Sequence, residues 1–397
     1  MTLDQLGYLD QDALRSPYPV YEELREEGVH YEKSVNAYVV SSNALVTEVL
    51  RSPDRFSSAN TVGNPVAPPG TPDDPAALSP LLLLSDDPIH AQRRSVVARS
   101  FTPRQVGSWE EPVRKLVSDR IASLASLPDV DIVRDVAKPL PIRVITWVLG
   151  IPDEDVAGFR EWSEVITSNV GAHTRDDPSV VEKVRADFSA YLYDILTEHA
   201  ADPKDDILTQ VAQTDLMEYQ KVRFVAEMLV AGNITTTHHI SSSVMLLAKN
   251  DDVRDALRED RSLIPRFVEE SLRLEPPIQG FYRLALHDTE LGGMAIPEGS
   301  RVFVLYASAN HDDDMWGDNG QAIDLTRTNG SAHLAFGIGA HTCLGAPLAR
   351  LEGRLVIESL IDQVETIELL VDPDEVTYAP SFINHGLATL PVRLAFR

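Results

Sequence analysis

Apolar residues recur at helical spacing over most of this chain, and the exceptions fall in a few short blocks. Residues 18–28 read as a short helix closed by glycine, and 38–41 as a strand after a turn at Asn36. Helical patterns run through 90–101, 104–124 and 135–149, then through a further pair at 153–170 and 179–199. Residues 217–249 hold no proline and predict one very long helix, a spine crossing the whole molecule. Its middle, AGNITTTHHI, is rich in poor helix formers, so a local distortion with a function is expected there. After Pro276 the pattern shortens to strands at 282–286, at 294–296 behind Gly292-Gly293, and at 301–306; a last helix covers 346–362. The fold class predicted is mainly α with a minor β part.

The stretch 60–80 is different. Pro65, Pro68, Pro69, Pro72, Pro75 and Pro80 forbid a regular helix or a central strand. A long loop of this kind, followed by the leucine run 81–84, predicts a binding loop or lid.

The bulk numbers exclude more than they select. The formal charge of −26 argues against nonspecific binding to nucleic acid or to an anionic membrane. No apolar run approaches the roughly 18–20 residues of a spanning helix. The start, MTLDQLGYLDQD, shows no basic segment leading into an apolar one, so no signal peptide is expected and a cytoplasmic protein is. The single cysteine rules out an intrachain disulfide and fits a reducing compartment. Length alone suggests two or three domains, on a prior of about 150 residues each.

That cysteine, Cys343, sits in FGIGAHTCLGAPLAR, residues 336–350. A lone cysteine is most often an inert small hydrophobe. Here Gly337, Gly339 and Gly345 allow a tight loop that approaches a flat ligand closely. Pro347 falls where a helix can begin, and Leu344, Leu348, Leu351 and Leu355 then recur at helical spacing. The cysteine thus precedes a helix N-terminus, whose positive end lowers a thiol pKa and whose N–H groups can bond the sulfur.

The segment from Phe336 through Gly337 and His341 to Cys343 and Gly345 resembles the haem-binding loop of the cytochrome P-450 family, and further motifs extend the resemblance over residues 10–397. It implies one cytochrome P-450 domain spanning 1–397, with β-rich parts near 29–41 and 276–306 and a haem between the long central helix and the helix after the cysteine. Cys343 becomes the iron ligand and haem b, iron protoporphyrin IX, the cofactor. Glu270 and Arg273 in EESLR, alone no more than a surface ion pair, resemble the family's structural Glu-x-x-Arg pair, with Arg327 as third partner. An aromatic residue is usual where this chain has Ile323. His90 and Arg94, one helical turn apart, resemble the pair that binds a haem propionate; Arg283 and His341 resemble the remaining propionate contacts. Ala231 and Gly232 are the small residues expected to leave room for O₂ above the iron. Thr235 aligns with the threonine that orients water and relays protons, with Thr236 beside it; alternatively these hydroxyls merely bond back to the helix.

One departure stands next to that threonine. The family usually has an acid there, and this chain has Ile234, which carries no protons. Threonine hydroxyls and water, a polar group on the substrate, or an atypical oxidation such as coupling would each accommodate the loss. His238 and His239, just beyond, read as packing or surface residues.

The resemblance implies a monooxygenase that uses O₂ and two electrons to hydroxylate, epoxidise or couple a medium or large apolar small molecule, plausibly in natural-product tailoring. One cysteine cannot hold an iron–sulfur cluster, so electrons are expected from NAD(P)H through a separate ferredoxin and ferredoxin reductase. Arg93, Arg94, Arg99, Arg104, Arg350 and Arg354 would offer the ferredoxin a basic face. The substrate pocket is expected between residues 60–84, the 169–179 connection, the central helix, Ile278 to Phe281, and a turn at Phe382-Ile383. A monomer is expected. A hydrogen-peroxide-driven peroxygenase and a non-catalytic haem-thiolate sensor are the alternative readings.

Overall fold

The computed structural model describes residues 11–59, 81–168, 177–381 and 383–397. Prolines 65 to 80, the 169–176 connection and Phe382, all assigned above to the pocket wall, lie outside them.

The long helix is present as Glu218–Lys249, and its ladder is unbroken. The expected distortion at AGNITTTHHI does not occur. Packing overrides the poor propensity: from Thr236 to Met245 every residue is buried, between neighbours that include Pro139–Leu149 and Ala346–Gln363. The irregular turn lies in the neighbouring segment instead. Val133–Ala137 is a π-turn, closed by Lys138 N–H donating to the Val133 carbonyl at 2.9 Å. The Ala137 carbonyl accepts from the Thr237 hydroxyl at 3.0 Å, so a central-helix threonine uses that carbonyl.

Other helices read from the sequence are present with shifted ends, while Asn43–Leu50, Ile207–Ala212, Asp251–Glu259 and Ile264–Leu274 were not anticipated from the pattern. Tyr18–Glu27, Ile89–Val97, Val156–Ser168 and Pro178–Ala201 are all present. The pattern at 104–124 is two helices, Pro103–Ser108 and Glu110–Ser123, interrupted at Trp109. Among the described residues no helix is long and apolar enough to cross a membrane.

Among the described residues ten short strands make three sheets. They are β1 (His30–Glu32), β2 (Ala37–Val40), β3 (Phe56–Ser57), β4 (Val130–Asp131), β5 (Phe281–Ala285), β6 (Thr289–Leu291), β7 (Met294–Ile296), β8 (Arg301–Val304), β9 (Val364–Leu369) and β10 (Pro391–Phe396). The largest sheet runs β1-β2-β8-β5-β3; β2 and β8 are parallel, and the other pairs antiparallel. Asn36 makes the β1–β2 turn with a left-handed φ of 49°. The sheet β4-β10-β9 was not anticipated: it joins the segment before the π-turn to the chain's last residues, a pairing too distant in sequence for local pattern to show.

Among the described residues one large core holds the central helix, the Ala346–Gln363 helix and their helical neighbours, and two smaller ones lie on the β-sheet side. The Ile264–Leu274 helix packs against both long helices, so what it carries is placed beside the cysteine loop.

Candidate functional site

The cysteine loop is shaped by its own backbone. Cys343 N–H donates to the Phe336 carbonyl at 2.8 Å and closes it. Gly339 turns with φ +78°, where a Cβ would lie 2.7 Å from the Leu50 carbonyl oxygen, so no larger residue fits. The N–H groups of Gly345 and Ala346, at the start of the Ala346–Gln363 helix, face the sulfur. Cys343 lies deep among protein atoms yet keeps exposed surface, so it borders an internal space. Burial raises its pKa; the two N–H groups, Arg94 and Arg350 oppose this, and burial wins. In the protein alone desolvation thus outweighs the helix start, which by itself would favour thiolate.

Two adjacent glutamates lie beside this loop, and one of them, Glu269, binds it through Arg350. Glu270 receives a bidentate pair from Arg273 at 2.8 Å per bond, with both side chains essentially fully buried. Arg327 joins them at 3.3 Å from Glu270 Oε1, while Ile323 packs on the core beside it. Arg273 also donates to the Asn310 and Ala322 carbonyls and lies over the Trp316 ring. Glu269, which the sequence reading passed over, binds Arg350 in two bonds of 2.6 and 2.9 Å and lies 3.3 Å from His333. Arg350 in turn stacks on Phe336 at 4.5 Å. Burial alone would raise the Glu269 pKa, but bonds and charge from His333 and Arg350 outweigh it and bring it down to about 2. The doubled acid in EESLR was the signal.

A cationic rim forms next to the loop. The His90 and His341 rings lie 4.1 Å apart, and Arg283 and Arg94 act on His341 as well. Burial first, then the charges of His90, Arg283 and Arg94, lower His341 to a pKa of about 4; Asp86 pulls the other way. His90 Nδ1 lies 3.2 Å from Asp87. Arg283 donates to the Tyr282 carbonyl, and neither it nor Arg94 has an ion pair among the described residues. Two guanidiniums without carboxylates, beside a buried cysteine, fit a ligand that brings its own anionic groups.

The central helix supplies a different kind of wall. Ala231 keeps exposed surface on a helix that is otherwise largely buried. Gly232 does not clear space for a ligand: a Cβ there would meet Ile145 at 3.0 Å, so this glycine serves close helix packing. The Thr235 hydroxyl donates to the Ala231 carbonyl at 2.8 Å. Thr236 is buried, about 100° further round the helix. His238 and His239 are packing residues; their rings occupy the space over Gly386 and Gly353, and burial lowers each to a pKa of about 4.

The expected basic face is largely consumed internally. Arg93 donates to the Leu81 carbonyl, Arg94 acts on His341 and Cys343, Arg350 is held by Glu269, and Arg354 bonds Glu110 and Glu358. Arg99 and Arg104 remain exposed.

A mainly helical fold, a lone cysteine before a helix start in a loop that Glu269 binds through Arg350, and two nearby arginines with no ion pair among the described residues fit a haem-thiolate protein. The family model for cytochrome P450 matches residues 179–384. Cytochrome P450 109 of Bacillus spizizenii is 33% identical over 96% of this chain and 92% of its own length. The cytochrome P450 monooxygenase PikC of Streptomyces venezuelae is also 33% identical, over 98% and 93%. The structure of CYP109E1 from Bacillus megaterium, in complex with testosterone, superposes with a TM-score of 0.85 at 29% identity, covering 96% of this chain and 99% of that one. The chain belongs to the cytochrome P450 family; it is an oxidoreductase with haem as its cofactor.

Proposed function

We propose that the protein is a monooxygenase for a medium or large apolar small molecule, with Cys343 as the haem-iron ligand and electrons delivered from NAD(P)H by a separate ferredoxin and reductase. The observation that carries the site assignment is the deep cysteine whose sulfur receives the N–H groups of Gly345 and Ala346, near Arg94 and Arg283, which have no ion pair among the described residues. When bound, the haem supplies the redox chemistry that activates dioxygen.

The chain's own residues then have distinct tasks. Cys343 Sγ donates charge, and the two N–H groups that face it moderate that donation. Arg94, Arg283, His90 and His341 hold the propionates. Ala231 leaves room on the central helix. Thr235 Oγ1 orients water and passes protons when it leaves the Ala231 carbonyl. Glu270, Arg273 and Arg327 keep the loop's support rigid. The testosterone in the CYP109E1 structure favours a bulky apolar substrate, and the likeness to the structure of HmtN, a post-tailoring hydroxylase of himastatin biosynthesis, favours a tailoring role.

Ile234 favours a second reading, turnover driven by hydrogen peroxide, because peroxide brings both the oxygen and the protons that a carboxylate would otherwise deliver. Turnover of a panel of steroids and other bulky apolar molecules decides between them. Product with ferredoxin, reductase and NAD(P)H supports the first reading; product with peroxide alone supports the second; none under either condition overturns both.

A further inference from the structure

Glu227 is the sole carboxylate beyond the first turn of the central helix, and the site as described leaves it unused. It lies one turn before Ala231 and two before Thr235, which puts the three on one side of the helix. Its oxygens accept three consecutive backbone N–H groups: Oε2 from Leu81 at 2.6 Å and Leu82 at 2.8 Å, and Oε1 from Leu83 at 2.9 Å. Arg93 completes the arrangement by donating to the Leu81 carbonyl at 3.1 Å and by its charge on Glu227. Arg93 belongs to the Ile89–Val97 helix, which also carries His90 and Arg94 of the cationic rim. One carboxylate therefore clasps together the central helix, the 81–83 turn and the rim helix.

Two functions compete for this group. As a proton carrier it would replace the acid missing at Ile234. Eight residues of helix, however, put it about 12 Å from Thr235. Its lone pairs are also engaged by three donors. As a clasp, the geometry is what a carboxylate capturing successive backbone amides requires. Burial pushes the Glu227 pKa up, and only the three N–H groups and Arg93 offset that cost. A neutral amide oxygen could accept two such bonds at most and could not gather three.

We propose that Glu227 is a positioning residue for substrate oxidation: by fixing the Leu81–Leu83 turn against the central helix one turn before Ala231, it makes the leucine run a fixed wall of the substrate pocket and sets how a bulky apolar molecule lies in it. Leu81 is anchored in the core, while Leu82, Leu83 and Leu84 are half-buried and keep surface to offer. The inference rests on the Ala231–Thr235 side being the pocket side.

The test uses the haem-loaded protein and two ligands that bind ferric iron through nitrogen, imidazole and 4-phenylimidazole, with Glu227→Ala and Glu227→Gln. Hydrogen exchange at the Leu81–Leu83 amides should accelerate about tenfold or more in Glu227→Ala. Imidazole affinity should stay within about twofold and 4-phenylimidazole affinity change about fivefold or more, since only the bulkier ligand reaches a displaced wall. Glu227→Gln keeps one acceptor oxygen and should shift both readouts part of the way; it carries the test if Glu227→Ala does not hold haem. Unchanged exchange, or faster exchange with an unchanged affinity ratio, overturns the proposal. The ferrous carbon monoxide spectrum of the unmodified protein, read first, separates a failure here from a failure of the haem-thiolate assignment.

Discussion

On the cysteine side, Glu269 and Glu270 leave one helix in succession, and each is held by two basic side chains: His333 with Arg350, and Arg273 with Arg327. On the central-helix side, the position usually held by an acid is Ile234, Thr235 spends its hydroxyl on its own helix, and His238 and His239 are held neutral by burial. The first wall is charged and paired; the second is uncharged along its working stretch. The difference follows from their tasks. A loop that must present one sulfur at one place gains from interlocked ion pairs, which are directional. A wall that must admit an apolar molecule and dioxygen gains from having no charge that needs solvation.

Removing a partner from the charged wall should have the largest effect. Arg273→Leu leaves Glu270 buried without its bidentate partner and should cost about 3–5 kcal/mol, read by urea unfolding and by the yield of haem-loaded protein. Next comes the rim. Arg94→Leu should raise the rate of haem transfer to apomyoglobin about tenfold, because a charge-assisted bond to a propionate is lost. Unchanged transfer would detach Arg94 from the cofactor.

Glu269 gives the comparison a pH axis. Its folded pKa of about 2 lies below the ordinary value near 4.3, so its ion pairs stabilise the fold above about pH 4.3, and that contribution drains away as pH falls toward about 2. Glu269→Gln should flatten the acid limb of a stability–pH curve across that window and cost about 1–2 kcal/mol at neutral pH, reduced from the full shift because the group is partly exposed. An acid limb identical to that of the unmodified protein would contradict the assignment.

The distal changes should be smaller in stability and visible in function. Ile234→Glu restores a carboxylate and should alter the ratio of product formed to NAD(P)H consumed by about two- to threefold with the fold intact. If neither rate nor coupling moves, the missing acid is irrelevant to proton delivery. Gly232→Ala should lower stability by about 1 kcal/mol through the clash with Ile145 and leave coupling unchanged. A change in coupling without loss of stability would return Gly232 to the oxygen site.

The sequence was most readable where backbone and motif coincide. The Gly337–Gly345 frame, the Pro347 helix start and the Glu270–Arg273 spacing are local, and the structure places them as their chemistry requires. Long-range partnerships were harder. Nothing in EESLR says that Glu269 reaches Arg350 and His333, and nothing in the leucine run says that its N–H groups converge on Glu227 across more than 140 positions. The C-terminal sheet was missed for the same reason, since β10 pairs with β4 from the first half of the chain. Misreadings came from weighing one local effect alone. The helix start was given to the cysteine without its burial, the poor propensity of AGNITTTHHI without its packing, and the arginine cluster without the carboxylates it meets.

The central claim is that Cys343 binds the haem iron as a thiolate, and the ferrous carbon monoxide difference spectrum of the purified protein beside Cys343→Ser tests it most directly. Thiolate ligation gives a red-shifted Soret band in the unmodified protein and its loss in the variant. A variant that keeps the band, or an unmodified protein that takes up haem without showing it, would contradict the assignment.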